Sequence, residues 1–279
     1  MAGARDLRLH LTRWGSAALV ALLFAAGCAR NDSPLILATT SSVGNSGLLD
    51  AVLPEYRAAT VRPLLVGSGR ALEMLAARTA DVVISHAPAR ETAALASHPD
   101  WRYRKILYND FLIVGPAEDP AGVRAATDVV DAMTRIARSP STFLSRGDES
   151  GTHERERELW AAAGVTPDGS RLVIAGAGMG QTLRIAGSSG AYTLTDRGTF
   201  EALKASVKLV VLNEGDPRLL NTYAVVWSPN NERGARFASW LAEGAGREVV
   251  AAALRERRVT GFTPWPGEAD GSRPSARPR

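Results

Sequence analysis

Residues 145–152 read Ser-Arg-Gly-Asp-Glu-Ser-Gly-Thr, and a helical pattern follows them directly. The first N–H groups of a helix lack intrahelical partners and carry partial positive charge, so they attract anions. Arg146 adds a guanidinium to this turn. Ser150 and Thr152 add hydroxyls, and Gly151 lets the backbone come close to a ligand. The octapeptide therefore predicts a cup for a small oxyanion; the alternative is that the hydroxyls only cap the helix and Arg146 is solvated.

Two earlier loops have the same chemistry. Residues 39–42 are four consecutive hydroxyl residues between an apolar strand pattern and a helical pattern. Ser68 lies between two glycines at a similar turn. Each loop alone is also what an ordinary helix cap looks like. In open α/β sheets, however, ligands bind at the carboxyl ends of the strands, so the three loops are predicted to converge. The predicted anion-binding residues are Thr39, Thr40, Ser41, Ser42, Ser68, Arg146, Ser150, Gly151 and Thr152.

Short apolar runs alternate with helical patterns along the chain, which predicts an α/β fold. The run at 111–114 ends in Gly115-Pro116, a break that suits a crossover between domains. The glycine-rich stretch 176–180 predicts a tight loop before a helix, near the cleft, because it lacks the acidic partner of a dinucleotide motif. Strand 191–195 could turn only one face toward an anion. The earlier strand patterns lie at 35–38, 64–66 and 81–85, and helical patterns follow at 46–56 and 71–78.

Composition excludes some classes of protein. The chain has 279 residues, a net charge of +4 and 45% hydrophobic residues, which is enough apolar material for a substantial core. Lysine and arginine are scattered, so a nucleic-acid-binding face is not expected. The four histidines have no metal-ligand spacing, and no metal or cofactor is expected. Residues 266–279, rich in Pro, Gly, Ser and Arg, predict a disordered tail.

The N-terminal residues are typical of a targeting signal. Three arginines precede a short apolar run over 17–26, and small residues then lead to Cys28, the single cysteine of the chain. This pattern resembles a bacterial lipobox, in which the cysteine is lipidated, although Ala25 stands where leucine is usual. We expect residues 1–27 to be a signal peptide and Cys28 to carry the lipid; the alternative is ordinary cleavage that leaves a free Cys28.

Taken together, the motifs resemble the tungstate-binding proteins of ABC importers, a branch of the periplasmic-type solute-binding superfamily. The family usually has Thr-Thr-Thr-Ser in the first hydroxyl loop, and Ser41 here keeps a hydroxyl at the third place. The resemblance runs from Leu35 to about Pro264. The segments that carry it are 37–42 (LATTSS), 46–50 (SGLLD), 80–88 (ADVVISHAP), 108–116 (YNDFLIVGP), 145–153 (SRGDESGTH), 178–183 (GMGQTL), 191–199 (AYTLTDRGT), 214–217 (EGDP) and 221–223 (NTY).

This resemblance implies a two-lobed type II periplasmic solute-binding fold with the ligand clamped between lobes that two crossover strands join. Lobe 1 would hold residues 35–115 and 201–265, and lobe 2 would hold 116–200. It also implies a monomer in the periplasm or at the cell surface, anchored to the membrane through the lipid on Cys28. The partners would be an ABC permease with its ATPase, and the ligand tungstate or molybdate.

Phosphate receptors of the same superfamily have a similar Arg and Ser-Gly-Thr turn, but commonly Ser-Asp-Ala-Pro where this chain has Ser85-His86-Ala87-Pro88. A carboxylate there accepts the proton that phosphate keeps near pH 7, and it would repel a fully ionised dianion. His86 thus predicts selection against phosphate. Three alternatives stay open: a phosphate or sulfate receptor, an oxyanion sensor, and an enzyme on phosphoryl or sulfuryl esters that uses His86 or His153.

Overall fold

The computed structural model describes residues 33–165 and 167–266. The predicted signal peptide, the predicted lipidation site at Cys28 and the predicted tail beyond Pro266 lie outside the described residues. Within those ranges, every helix is too short or too polar to cross a bilayer.

Strands and helices alternate, and the predicted α/β class is confirmed. The helix expected over 46–56 is observed as a short α-helix, Leu48–Val52, followed by a 3-10 turn over Leu53–Glu55. The strands are β1 (Leu35–Thr39), β2 (Val61–Leu65), β3 (Val82–Ser85), β4 (Arg102–Gly115), β5 (Phe143–Ser145), β6 (Leu172–Ile174), β7 (Thr193–Asp196), β8 (Val210–Asn213), β9 (Leu220–Trp227) and β10 (Thr263–Pro264). The helices are α1 (Ser41–Asn45), α2 (Leu48–Val52), α3 (Ser68–Ala76), α4 (Pro88–Ser97), α5 (Val129–Arg138), α6 (Gly151–Ala163), α7 (Met179–Ser189), α8 (Arg197–Leu203), α9 (Glu232–Ala242) and α10 (Ala245–Arg255).

The 14-residue strand β4 takes part in two sheets. Its first part, Arg102–Asp110, pairs antiparallel with β9, and the sheet continues in the order β10-β4-β9-β3-β1-β2. Its last part, Phe111–Gly115, pairs with β7 and β8. The parallel pair β5-β6 joins this second sheet through a bridge between Phe143 and Tyr192. We call the body around the first sheet the first lobe and the body around the second sheet the second lobe.

Each sheet is covered by helices on both faces, so its central strands are apolar at consecutive positions. In β1, Leu37 packs with α2, α9 and α10, whereas the next residue, Ala38, faces α3 on the opposite side. In β4, Ile113 lies among the residues of α5 and α6, and Leu112 lies among those of α7. The strands therefore end at a sheet edge where loops, rather than helices, meet.

An arginine ties together the two places where the chain passes between the lobes. Arg197, at the start of α8, donates to both carboxylate oxygens of Asp110 at 2.5 and 2.7 Å, where β4 changes partners. It also pairs with Glu214, between β8 and β9. These hydrogen bonds raise the pKa of Arg197 above its usual value. The predicted lobe limits of 35–115 with 201–265, and 116–200, stay a prediction.

Candidate functional site

Arg146 follows directly on β5, and its side chain is buried between the lobes, with 2% of the residue exposed. Its Nη1 lies 3.4 Å from Thr152 Oγ1, and its Nη2 lies 3.4 Å from Ser41 Oγ in the first lobe. The same Nη2 pairs with the carboxylate of Asp148. Its Nε is buried and has no hydrogen-bond partner among the described residues. The guanidinium thus has donor capacity left over at the junction of the lobes.

The loop after Arg146 is built to present the start of α6. Gly147 and Glu149 both have positive φ, 60° and 55°, which turns the chain sharply. Ser150 is the N-cap of α6 and accepts from the N–H of His153 at 3.3 Å. Asp148 accepts from the N–H of Ser150 at 3.2 Å. Ser150 and Thr152 are fully buried, so the start of this helix faces the first lobe rather than solvent.

The hydroxyl loop after β1 lies on the opposite side of the same junction. Thr40 is the N-cap of α1 and accepts from the N–H of Val43 at 3.4 Å. Thr39 Oγ1 and Ser42 Oγ are buried and have no hydrogen-bond partner in the part of the chain that the structure describes. A buried hydroxyl without a partner loses free energy, on the order of 1–3 kcal/mol, unless something else bonds to it. Two such hydroxyls, in the loop whose Ser41 approaches the buried guanidinium, fit an oxyanion.

Ser68 begins α3, and its hydroxyl accepts from the N–H of His86 at 3.4 Å. That bond leaves the hydroxyl proton of Ser68 free to donate. The structure therefore brings the nine predicted residues to one junction between the lobes. Eight of them are buried, and Ser41 is half-buried.

Backbone atoms of the lobes come very close here. A Cβ at Gly151 would lie 2.5 Å from the carbonyl oxygen of His86 and 3.1 Å from its ring. A Cβ at Gly178, the N-cap of α7, would lie 3.1 Å from Ser41 Oγ. A Cβ at Gly67 would be 3.7 Å from the nearest atom, Asp148 O, which is an ordinary contact. Glycine at 151 is therefore a condition for this closed arrangement.

Two contributors were missing from the predicted set. Gly178 places the N-terminus of α7 against Ser41, and the Thr199 hydroxyl on α8, which donates to Asp196 at 2.8 Å, lies 3.4 Å from the carbonyl oxygen of Ser42. The glycine-rich stretch 176–180 was the available signal for α7, and it predicted a loop near the cleft. Thr199 had no comparable signal because its helix follows β7 without a break.

His86 lies under the site and is almost wholly buried. Its ring stacks on Tyr223, with centroids 5.0 Å apart, and its Nδ1 lies 3.1 Å from Asn221 Oδ1. Asn221 Nδ2 donates to Asn109 Oδ1 and to Tyr223 Oη, both at 2.8 Å, so Asn221 Oδ1 is the acceptor and His86 Nδ1 carries the proton. Burial lowers the pKa of His86 to about 4, against the opposing effect of Asp196. The imidazole is therefore neutral near pH 7.

One face of the strand predicted at 191–195 was expected to reach the ligand, but its polar side chains bond to other groups of the protein. Thr193 Oγ1 donates to the carbonyl of Leu144 at 2.8 Å, and Thr195 Oγ1 to that of Asp196 at 3.2 Å. Tyr192 Oη bonds to Asp119 at 2.9 Å. These three side chains have partners within the protein.

Two buried carboxyls hold the loops of the site in place. Glu91 accepts from the N–H of Ala87 at 3.0 Å, behind His86, and Glu156 accepts from the N–H of Arg146 at 3.4 Å. Burial raises the pKa of each to about 7. Below that pH both are largely neutral, so they add little negative charge behind an anion. No group of three potential metal ligands occurs within the described ranges.

The raised pKa of Glu91 predicts how stability changes with pH. The folded protein keeps this proton up to about pH 7, whereas the unfolded chain loses it near 4.5. Stability is thus highest at low pH for this group and falls as pH rises toward 7. We expect the free energy of unfolding to drop between about pH 4.5 and 7, by on the order of 1 kcal/mol per pH unit for each such carboxyl.

Denaturant unfolding of the wild type and of Glu91→Gln at pH 5, 6 and 7 measures this drop. The variant keeps the acceptor for Ala87 and lacks the charge, so it should lose about half of the decrease, with Glu156 supplying the rest. An unchanged pH profile in Glu91→Gln would show that the carboxyl at 91 does not titrate in this range.

Comparison with known proteins agrees with this geometry. Residues 25–244 match the family model described as a PBP superfamily domain. The tungstate-binding protein TupA of Peptoclostridium acidaminophilum is 37% identical over 259 residues, which covers 84% of this chain and 91% of the relative.

Two solved structures are also similar. The tungstate ABC transporter structure from Geobacter sulfurreducens has 35% identity and a TM-score of 0.69, covering 79% of this chain and 98% of that one. The tungstate-binding protein TupA from Desulfovibrio alaskensis G20 has 35% identity and a TM-score of 0.66, covering 83% and 99%. The predicted two-lobed periplasmic binding fold is thereby confirmed. The chain belongs to the PBP superfamily and, within it, to the family of tungstate-binding proteins of ABC importers.

Proposed function

We propose that this protein is the extracytoplasmic solute-binding component of an ABC importer and that it captures tungstate, with molybdate as the other candidate ligand. The observation that carries the proposal is the buried Arg146. It touches hydroxyls of both lobes and keeps a free Nε, and the loop that carries Ser41 holds two unpartnered hydroxyls, those of Thr39 and Ser42. A compact oxyanion supplies the acceptors that these donors lack.

The chemistry of the site favours a dianion without protons. Arg146 and the hydroxyls at 39–42, 68, 150 and 152 can all donate, and so can the first N–H groups of α6. Neutral His86, whose side chain replaces the aspartate common in phosphate receptors, adds no negative charge. Phosphate near pH 7 keeps a proton that needs an acceptor, and tungstate does not. The names of the relatives from Peptoclostridium and Desulfovibrio support tungstate in particular.

The partners and location follow from the family. The closed protein would deliver its ligand to a membrane permease with its ATPase, and Cys28 would hold it at the membrane through a lipid. We further propose that it acts as a monomer and is not an enzyme. In support, His153 Nδ1 accepts from the N–H of Glu149 at 3.1 Å, so it is engaged in the loop rather than free as a general base.

A thermal-shift panel of tungstate, molybdate, sulfate and phosphate tests the function. A ligand that binds only the folded state raises stability by RT ln(1 + [L]/Kd), about 2.7 kcal/mol at a hundred times Kd. We expect tungstate and molybdate to raise the melting temperature most and phosphate least. Equal stabilisation by phosphate would contradict the assignment, and no shift with any of the four would remove it.

Replacing Arg146 with alanine should weaken tungstate binding by on the order of 2–5 kcal/mol, because a buried charge partner is lost and Asp148 then faces the anion alone. Isothermal titration calorimetry measures this change. Arg138→Ala, at an exposed arginine of α5 in the same lobe, is the matched control and should bind like the wild type. Similar affinities for the two variants would place the anion elsewhere.

Gly151→Ala tests closure separately from chemistry. The variant keeps the N–H and suits the helix, but its Cβ would meet the carbonyl of His86 at 2.5 Å. Overpacking of this kind costs roughly 1–3 kcal/mol, so tungstate affinity should fall about tenfold or more while the fold survives. Gly67→Ala, whose Cβ has no contact closer than 3.7 Å, is the control. Equal affinities would mean that the lobes do not approach this closely around the ligand.

A further inference from the structure

An ion pair crosses between the lobes at the edge of the site. Arg90 lies in the first turn of α4, and its Nε pairs with Oε1 of Glu154, in the first turn of α6. Helix α4 packs on the first sheet through Ala94 and Leu95, and α6 packs on the second sheet through Leu159 and Trp160. The two side chains are 33% and 18% exposed, so the pair is partly shielded from water.

The side chain of Arg90 reaches Glu154 by passing over a glycine of α3. A Cβ at Gly69, in the first turn of α3, would lie 2.4 Å from Arg90 Nη1 and 3.1 Å from its Cδ. The side chain of Arg90 therefore runs directly over Gly69 on its way to Glu154. Because Gly69 follows Ser68, and Glu154 follows Thr152 by two residues, the pair stands beside both halves of the candidate anion site.

The other polar contacts between the lobes near the site are long, and they are not ion pairs. The hydroxyl oxygen of Thr199 lies 3.4 Å from the carbonyl oxygen of Ser42, and Arg146 Nη2 lies 3.4 Å from Ser41 Oγ. The ion pair of Arg146 with Asp148 lies within one loop, and those of Arg197 lie where the chain passes between the lobes, so none of them need break when the cleft opens. Among the described residues, Arg90 and Glu154 alone form an ion pair between a helix of one lobe and a helix of the other.

We infer that Arg90 and Glu154 are positioning residues that latch the closed cleft and set how long the oxyanion stays bound. This inference rests on the proposed function, since it presumes an anion held between the lobes. The pair can form only when α4 and α6 have come together, which is after the ligand has entered. Its loss should therefore speed dissociation and leave association nearly unchanged.

The two partners should not be equivalent. Glu154 is an acid at the N-terminus of the helix that faces the ligand, and Arg90 neutralises it. Arg90→Ala leaves that negative charge unpaired near a dianion, whereas Glu154→Ala leaves a positive charge there. We therefore expect the arginine variant to release tungstate faster than the glutamate variant does.

Stopped-flow measurement of tungstate association and dissociation, followed by intrinsic tryptophan fluorescence, tests the latch. We expect dissociation to be roughly three- to thirty-fold faster in Arg90→Ala, less affected in Glu154→Ala, and no faster in the double variant than in Arg90→Ala. Arg90→Lys keeps the charge and should recover part of the slow release. Glu158→Ala removes an acid of α6 that pairs with Arg155 in its own helix, and it should behave like the wild type.

Wild-type dissociation rates in all the variants would overturn the latch, and so would an effect confined to the association rate. Purely additive effects of the two alanine changes would overturn it as well. Absence of tungstate binding in the wild type would instead overturn the proposed function, so the two failures are distinguishable. Melting temperatures of the ligand-free variants close to that of the wild type would show that the change in release does not come from a damaged fold.

Discussion

The arrangement depends on burying one guanidinium between two lobes. Taking Arg146 out of water is costly unless its charge and its N–H groups find partners. Asp148 supplies part of that compensation, and the hydroxyls of Ser41 and Thr152 supply a little more. The Nε stays unsatisfied in the described chain. An unpaired guanidinium N–H and the unpartnered hydroxyls of the facing loop both lack an acceptor. An oxyanion in the site would supply those acceptors and so stabilise the closed protein.

Small residues make that burial geometrically possible. Gly151 lets α6 reach the backbone of His86, and Gly69 lets the side chain of Arg90 lie flat on α3. Around the candidate site the lobes therefore meet mainly through backbone and polar atoms, whereas apolar contact such as that of Phe262 with Gly198 lies near the crossover strands. An interface of this kind has little hydrophobic free energy to hold it shut, so the ligand and a few charges decide whether it stays closed.

The α/β class and the convergence of the loops could be predicted because they rest on local signals: apolar runs for β1 and β2, and hydroxyl and glycine turns after them. The apolar run at 111–114 predicted only the last part of the long strand β4, since polar residues at 108–110 interrupt its pattern. Those residues lie where β4 exchanges one sheet for the other. The roles of Gly178, Thr199 and the Arg90–Glu154 pair depend on contacts between distant segments, which no local pattern encodes.

The sharing of β4 has a consequence for how the chain unfolds. Because one strand supplies ladder hydrogen bonds to both sheets, neither lobe can lose its sheet without exposing part of the other. The lobes can rotate relative to each other about that strand, but they cannot separate while both sheets are intact. A single stretch of backbone thus allows the lobes to move as rigid bodies and favours their unfolding together.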